Sequence, residues 1–220
     1  MFLTGNPPIP SHASLTRPMD ETPARDSVHP DPEAAIDHAL MARIATGDEK
    51  AFRQLVERHQ DAIVGTCTKM LGNTTDSEDI AQQVFIRVWK HAKRYKPDNK
   101  FTTYLYTITR NLVYNETRRR SRKKTVSTEQ REEESHLQHP GDPNAQPDAS
   151  LLTGELQSAI DAAIQSLPEN QRLAVVLRRY DNLPYEEIAE VLNTSVPSVK
   201  SLLFRARTTL RETLAKYLDE

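Results

Sequence analysis

Residues 185–207 read YEEIAEVLNTSVPSVKSLLFRAR. Tyr185 to Leu192 spaces Ile188, Ala189 and Leu192 as a short helix would, and Ala189 is small where two helices must cross closely. Asn193 to Ser195 makes a tight turn. A longer helix then starts near Val196 and runs toward Tyr217, with Pro197 in its first turn, where the missing N–H costs nothing. Val199, Leu203, Ala206 and Leu210 recur at helical period and face inward, which leaves Ser198, Lys200, Ser201, Arg205 and Arg207 outward. A short support helix, a turn, and a helix that opens on small polar and basic residues form a helix-turn-helix pattern. Such a second helix fits the major groove, where Arg and Lys read guanine and Ser reads several base edges. The pattern alone does not say which kind of DNA-binding protein carries it.

Working outward, two more helices precede this pair. Leu152, Leu156, Ile160, Ala163, Ile164 and Leu167 mark one; Leu173, Val176, Leu177 and Tyr180 mark the next, entered through Pro168. A second helical block lies upstream. Ile36, Leu40 and Ile44 recur every fourth residue before Gly47. Asp48 is placed to cap a helix carrying Phe52, Leu55, Val56, Ile63, Val64, Cys67, Met70 and Leu71, which ends at Gly72. Thr75 and Glu78 have the spacing of a capping box, ahead of a stripe of Ile80, Val84, Phe85, Val88 and Trp89. After Pro97, a last helix carries Phe101, Leu105, Ile108 and Leu112 and ends in a run of cations, Arg118 to Lys124, which suits a helix C-terminus. No strand pattern or internal repeat is visible. The expected fold is all-α: two small helical domains joined by a flexible linker.

The boundaries follow composition. Residues 1–33, rich in proline, serine and threonine, are expected as a disordered tail. Residues 34–124 form the first domain, 125–150 an acidic flexible linker, and 151–220 the second domain. The formal net charge of −2 argues against a protein that coats nucleic acid indiscriminately, but it hides strong segregation. Residues 87–124 hold thirteen basic and two acidic residues, and residues 125–150 hold one basic and six acidic. Cys67 is the single cysteine, so neither a disulfide framework nor a cysteine-based zinc site is available; it reads as a small core residue of a protein in a reducing cytosol. No apolar run reaches 18 residues, and the start of the chain lacks the pattern of a secretory signal, so membrane insertion is not expected. No glycine-rich phosphate loop and no metal-spaced His/Cys set occurs. His136 and His139 are close in sequence but read as solvated linker residues. The expectation is a binding protein, not an enzyme, with no cofactor and no metal.

Two sets of motifs carry a family resemblance. Leu167-Pro168-Glu169-Asn170-Gln171-Arg172, Tyr185-Glu186-Glu187-Ile188-Ala189, Ser198-Val199-Lys200-Ser201 and Arg205-Ala206-Arg207 resemble sigma domain 4. Asp79-Ile80-Ala81-Gln82-Gln83-Val84-Phe85-Ile86-Arg87-Val88-Trp89 and Phe101-Thr102-Thr103-Tyr104-Leu105-Tyr106-Thr107-Ile108-Thr109-Arg110-Asn111 resemble sigma domain 2. The sets occur in the family's order with a linker between them, and a chain with only these two domains is similar to the extracytoplasmic-function (ECF) group of bacterial RNA polymerase sigma factors.

The resemblance implies partners and site residues. Core RNA polymerase would be held through its β′ clamp helices at Asp79, Gln82, Gln83 and Arg87, and through its β flap by the second domain. The promoter −10 element would meet Tyr95, Lys100, Tyr104, Asn111, Asn115, Arg118 and Arg119. Tyr95, Tyr104 and Tyr106 offer flat surfaces on which bases can stack, at about 1–3 kcal/mol each. The −35 element would meet Ser198, Lys200, Ser201, Arg205 and Arg207. An anti-sigma factor, which holds many family members, is a further candidate partner, and the cytoplasm is the implied location. Two positions depart from the family pattern: Tyr104 stands where many members have Trp, and Leu202 where many have Arg.

The work implied is promoter recognition and strand opening, with polymerase doing the chemistry. Promoter sites two helical turns apart lie roughly 70 Å from each other. Residues 125–150 reach about 80–90 Å when nearly extended but only about 25–30 Å as a relaxed coil. The alternative reading is a stand-alone helix-turn-helix regulator, which would carry an effector or dimerisation domain in place of the upstream motifs.

Overall fold

The computed structural model describes residues 32–126 and 147–217, and residues 1–31 of the expected tail and most of the expected linker lie outside them. Eight α-helices occur among the described residues: α1 (Pro32–Ala45), α2 (Glu49–Leu71), α3 (Thr74–His91), α4 (Phe101–Val126), α5 (Pro147–Ser166), α6 (Glu169–Arg179), α7 (Tyr185–Leu192) and α8 (Val196–Thr213). There is no strand among them. The linker expected over 125–150 is helical at both ends, because α4 continues to Val126 and α5 already begins at Pro147. α8 stops at Thr213 instead of reaching Tyr217, and a 3-10 turn over Ala215–Tyr217 follows it.

The ends of the helices show local chemistry at work. Asp48 caps α2: its Oδ1 accepts from the backbone N–H of Lys50 at 2.9 Å and of Ala51 at 3.0 Å, satisfying two donors the first turn would otherwise leave bare. Gly72 closes the same helix in the left-handed region, φ 78°, which a side chain would strain. The start of α3 differs from the capping box expected at Thr75 and Glu78. Asn73 is the cap, and its Oδ1 accepts from Asp76 N at 2.9 Å while its Nδ2 donates to Asp76 Oδ2 at 3.1 Å. The cap sits two residues earlier than expected, because Asn73 follows directly on the glycine stop, and the returning bond joins the two side chains instead of meeting the cap's backbone N–H.

α1 to α4 pack around Met41, Leu55, Ile63, Met70, Val84, Val88, Phe101 and Leu105, all 1% exposed or less. Each such side chain stabilises the fold by about 1.5–3 kcal/mol. Cys67 is fully buried, and burial pushes its thiol up to about 12, so it is a core residue as expected. α1 is pinned by Asp37, 2% exposed, which accepts from Arg58 Nε at 3.0 Å and lies 2.9 Å from His59 Nε2. In the second half, Leu167, Leu173, Val176, Leu177, Ile188, Val191, Val199 and Ala206 form the core.

The two halves share one continuous apolar cluster. α2 packs on α5 and α6, and α4 packs on α7. Polar bonds line this seam. Thr66 donates to Asp181 Oδ2 at 2.8 Å, Gln165 Nε2 to Lys69 O at 2.6 Å, Arg172 Nη1 to Met70 O at 2.8 Å, and the Tyr114 hydroxyl to Asn170 Oδ1 at 2.7 Å. Lys69 pairs with Asp161, and Thr117 donates to Glu169. Burial raises the Asp181 carboxyl to about 6, against the bonds from Thr66 and Tyr106 that lower it.

Two measurements check this account. Asn73→Ala should cost about 1 kcal/mol of stability and Thr75→Ala almost none, read from denaturant midpoints. Because the folded pKa of Asp181 is raised, its neutral form fits the fold, and the carboxyl penalises folding as pH rises through about 6. Asp181→Asn should therefore stabilise the fold relative to wild type more at pH 8 than at pH 5, a gap on the order of 1–2 kcal/mol read from denaturant midpoints at the two pH values.

Candidate nucleic-acid interface

The recognition helix is set by its cap. Ser195 is extended (φ −92°, ψ 155°), and its Oγ accepts from Ser198 N at 3.4 Å. Asn193 takes the left-handed turn between α7 and α8, φ 51°, a conformation asparagine tolerates better than most residues. Val199 and Ala206 are fully buried, Leu203 is 8% exposed, and Leu210 is partly buried. That fixes the outward row. Lys200 and Arg205 are exposed, and Arg205 Nη2 donates to Ser201 Oγ at 3.1 Å, joining two residues one turn apart. Ser198 and Ser201 are less available than expected: both are half-buried, and Ser198 Oγ lies 2.9 Å from that of Ser195. Arg207 leaves the row. It lines a groove of about 750 Å³ with Arg178, Arg179 and Arg211 at its rim and Ile160, Ile164 and Leu210 among its apolar walls.

Phe204 was not among the expected site residues. It is 70% exposed, three residues after Ser201 and four after Lys200, so it shares their face. An exposed aromatic ring there costs solvation unless something covers it, and a thymine methyl is an apolar group a major groove offers. Its spacing was the available signal.

On α4, Asn111 and Asn115 are exposed and line one cleft of about 470 Å³ with Arg87, Arg110, Tyr114, Arg118 and Leu192. Asn115 and Arg118 also line, with Arg119 and Arg122 of the same helix, an adjoining hollow of about 460 Å³. Asn111 Oδ1 already accepts from Arg110 Nε at 3.1 Å and Nη2 at 2.8 Å. Arg119 is spent in part: its fork grips Glu116 at 2.7 and 2.8 Å, which holds that carboxyl below its usual range. Lys100 pairs with Glu187 of α7 at 3.0 Å.

The aromatic residues divide. Tyr95 and Tyr104 are half-buried, their rings 5.1 Å apart, and Tyr95 also meets Phe101 and His38 at 6.0 Å. Burial pushes the Tyr95 hydroxyl up to about 12. Phe101 and Leu105 belong to the core, as expected. Tyr106 offers no stacking surface: it is 6% exposed and hydrogen-bonded to Asp181 at the seam. Tyr104, two residues back, is half-buried and keeps part of its ring exposed, and the sequence alone did not separate the two.

On α3, Asp79, Gln82, Gln83 and Arg87 are all exposed. The stripe does not serve one neighbourhood, because Arg87 borders the asparagine cleft. Phe52, Val56, Ile86 and Trp89 form an apolar patch beside it, with the Phe52 and Trp89 rings 5.0 Å apart and Ile86 49% exposed.

Comparison with known proteins bears on this arrangement. Residues 55–123 match the family model for Sigma-70 region 2, and residues 157–210 match that for Sigma-70, region 4. The chain is 31% identical over 186 residues to the RNA polymerase sigma-H factor of Pseudomonas aeruginosa, covering 84% of this chain and 96% of that protein. It is 33% identical over 177 residues to the ECF RNA polymerase sigma factor SigW of Bacillus subtilis, covering 79% and 94%, and 32% identical to the ECF RNA polymerase sigma-E factor of Escherichia coli K12, covering 80% and 92%.

This chain belongs to the ECF sigma factors.

Two solved structures share the fold of this sigma factor: CnrH in complex with the cytosolic domain of CnrY (TM-score 0.61, 24% identity, 82% of this chain and 98% of that one) and the sigma factor RpoE with the anti-sigma factor NepR from Bartonella quintana (TM-score 0.61, 23% identity, 76% and 98%). In the ECF chain described here the region 2 match spans most of α2 to α4 and the region 4 match α5 to α8. The departure at Leu202 has a structural consequence. Leu202 is half-buried against the core cluster, so Leu202→Arg would lose packing as well as gain charge. Among the described residues no helix is long and apolar enough to cross a membrane, and no group of three His, Cys, Asp or Glu could hold a metal.

Arg118 and Arg119 give a measurable contrast. Arg118→Ala should weaken binding of single-stranded DNA and lower the magnitude of its salt slope by about 0.7, one phosphate's share on a single strand. Arg119→Ala should change the slope less, because its fork is already held by Glu116. Affinity measured at three salt concentrations reads the difference.

Proposed function

We propose that this ECF sigma factor works in the cytoplasm by holding core RNA polymerase and two promoter elements at once, with residues 34–124 and 151–220 as its two working domains. The observation that carries the proposal is one chain with two separate nucleic-acid rows, Asn111 and Asn115 in an arginine-lined cleft and the joined Ser201–Arg205 pair on a helix-turn-helix. A stand-alone operator reader needs only the second row.

The first row handles the −10 element. Asparagine amides one turn apart can donate to and accept from the edge of an unstacked base, while Arg118 and Arg119 take phosphate. Tyr104 is the better stacking surface, because the Tyr95 hydroxyl is buried. Capturing an unstacked base must offset a few kcal/mol per disrupted step. Lys200, Ser201 and Arg205 read the −35 element, with Phe204 on a thymine methyl and Arg207 on phosphate; Ser198 orders the helix start. Asp79, Gln82 and Gln83 meet the β′ clamp helices, with Arg87 between that surface and the cleft, and the second domain takes the β flap. RpoE was captured with an anti-sigma factor, and the same class of partner is proposed here. The chain supplies recognition and opening, not bond chemistry.

The test is transcription from a promoter library by reconstituted holoenzyme. Arg205→Ala should relax preference at one or two −35 positions by about 1–3 kcal/mol, and Phe204→Ala should relax a preference for thymine. Arg207→Ala should weaken all promoters by a similar factor. Asn111→Ala and Asn115→Ala should impair permanganate-detected opening more than closed-complex binding. If Asp79→Ala with Gln83→Ala leaves core affinity unchanged, the clamp assignment is wrong; sequence-specific nanomolar duplex binding by the free chain would favour the operator-reader alternative.

A further inference from the structure

The two asparagines of the first row are not equivalent. Asn111 Oδ1 accepts from Arg110 Nε at 3.1 Å and from Arg110 Nη2 at 2.8 Å. A guanidinium has N–H donors and no acceptor, so the side of the Asn111 amide turned toward it is the oxygen. An amide oxygen carries two lone pairs, and the two charge-assisted bonds occupy both. What Asn111 has left for a ligand is its Nδ2, a group that donates and does not accept. Turning the amide over would break both bonds and set its hydrogens against those of the guanidinium. Asn115, one turn further along α4, is exposed and lines the same cleft. Arg110 gives Nε and Nη2 to Asn111 and Nη1 to the Val191 carbonyl, so none of its nitrogens is left for Asn115.

This difference decides which base edge each asparagine can read. Adenine shows the donor N6–H2 beside the acceptor N7, and a complete asparagine amide meets both at once. A donor-only amide meets N7 and offers nothing to N6–H2. Guanine shows acceptors at O6 and N7, and thymine one at O4; these edges ask for donors. A buried polar group left unpaired costs free energy, so adenine against a donor-only amide is disfavoured as well as less well held. Arg110 and Asn111 are neighbours on one helix, α4, and their pairing requires no other element.

We infer that Arg110 sets base specificity in the first row: by holding the Asn111 oxygen it makes Asn111 a donor-only reader, which favours a guanine or thymine acceptor and withholds the paired contact from adenine. Resting on the proposed role of Asn111 at the −10 element, this assigns Arg110 as a positioning residue that acts through its neighbour.

The experiment is transcription by reconstituted holoenzyme from a library randomised across the −10 element. It compares wild type, Arg110→Met, Arg110→Lys, Asn111→Ala and the variant carrying both Arg110→Met and Asn111→Ala. Methionine keeps an unbranched apolar stem and removes every donor, which frees Asn111 Oδ1. Arg110→Met should raise the relative use of adenine at one −10 position by about fivefold or more, the lower end of what a bidentate asparagine–adenine pair discriminates. Arg110→Lys, whose ammonium can still donate to Oδ1, should keep the wild-type preference. In the double variant the adenine gain should vanish, because the amide that makes it is gone. Base use is normalised within each variant, so a loss of folded protein lowers yield and leaves preference unmoved. A wild-type −10 profile in Arg110→Met overturns the inference. So does an adenine gain that survives in the double variant, since Arg110 would then exclude adenine by itself. If Asn111→Ala alone leaves the −10 profile at wild type, the proposed reader role of Asn111 fails and the inference with it; an altered profile there beside an unaltered one in Arg110→Met sinks the inference alone.

Discussion

Arg172 sits where three chain ends meet. Its guanidinium donates to the carbonyls of Met70 at the end of α2, Gln165 near the end of α5, and Leu167 in the turn before α6. Helix C-termini leave carbonyls without intrahelical partners, and a carbonyl shut from water costs about 1–3 kcal/mol if nothing donates to it. One planar fork meets that need for α2 and α5 together. Burial lowers the Arg172 pKa from its ordinary value, which measures the solvation given up; a guanidinium still stays charged. A lysine would supply one point charge and could not span these acceptors. α5 and α6 keep their angle to α2 through this residue, and the α7–α8 pair hangs on α6.

Much of this architecture was legible as period and punctuation. The stripe Val199, Leu203, Ala206 gives the buried face of α8, and Asp48 and Gly72 bound α2 as their chemistry requires. These are local facts, decided within a turn or two of chain. The cap of α3 was less legible because Asn73 and Thr75 are both competent caps two residues apart, and only the left-handed glycine just before Asn73 decides between them. Tyr104 and Tyr106 were not separable either. In a helix, residues two apart point about 160° from each other, but which one points inward depends on where Asp181 lies, 75 residues further along.

The candidate site divides in the same way. Which residues are outward on α8 follows from which are inward. Whether an outward arginine has a partner does not. Arg118 and Arg119 are adjacent and chemically identical, yet Arg119 is held by Glu116 and Arg118 opens onto two clefts. Arg207 falls outside the reader row because α5 and α6 build a groove beside it, and Lys100 meets Glu187 across 87 residues of sequence. Long-range pairing carries no periodic signal, so the sequence shows a cationic block where the folded chain matches Lys100, Arg119 and Arg120 with carboxylates and leaves Arg118 on open clefts.

That matching explains how a chain of net charge −2 can carry a basic helix face without binding nucleic acid indiscriminately. The carboxylates that answer α4 are not all distant in solvent. Glu116 lies on the helix itself and holds Arg119 and Arg120, Asp76 comes from α3 and bonds Arg120, and Glu187 comes from α7 and pairs with Lys100 just before α4. A short ion pair persists at salt concentrations that screen charges farther apart than about 8–10 Å. A phosphate arriving at Lys100, Arg119 or Arg120 must therefore displace a partner already in place, and the gain from its own contact is reduced by the contact it breaks. Non-specific affinity, which is almost wholly electrostatic, falls by that difference. Base-edge contacts from Asn111 and Asn115 are not opposed in the same way, since among the described residues no carboxylate accepts from their amide hydrogens. Internal counterions thus lower the sequence-blind part of binding more than the sequence-dependent part, and a factor that must find few promoters among many other sites gains selectivity by weakening its grip on all of them.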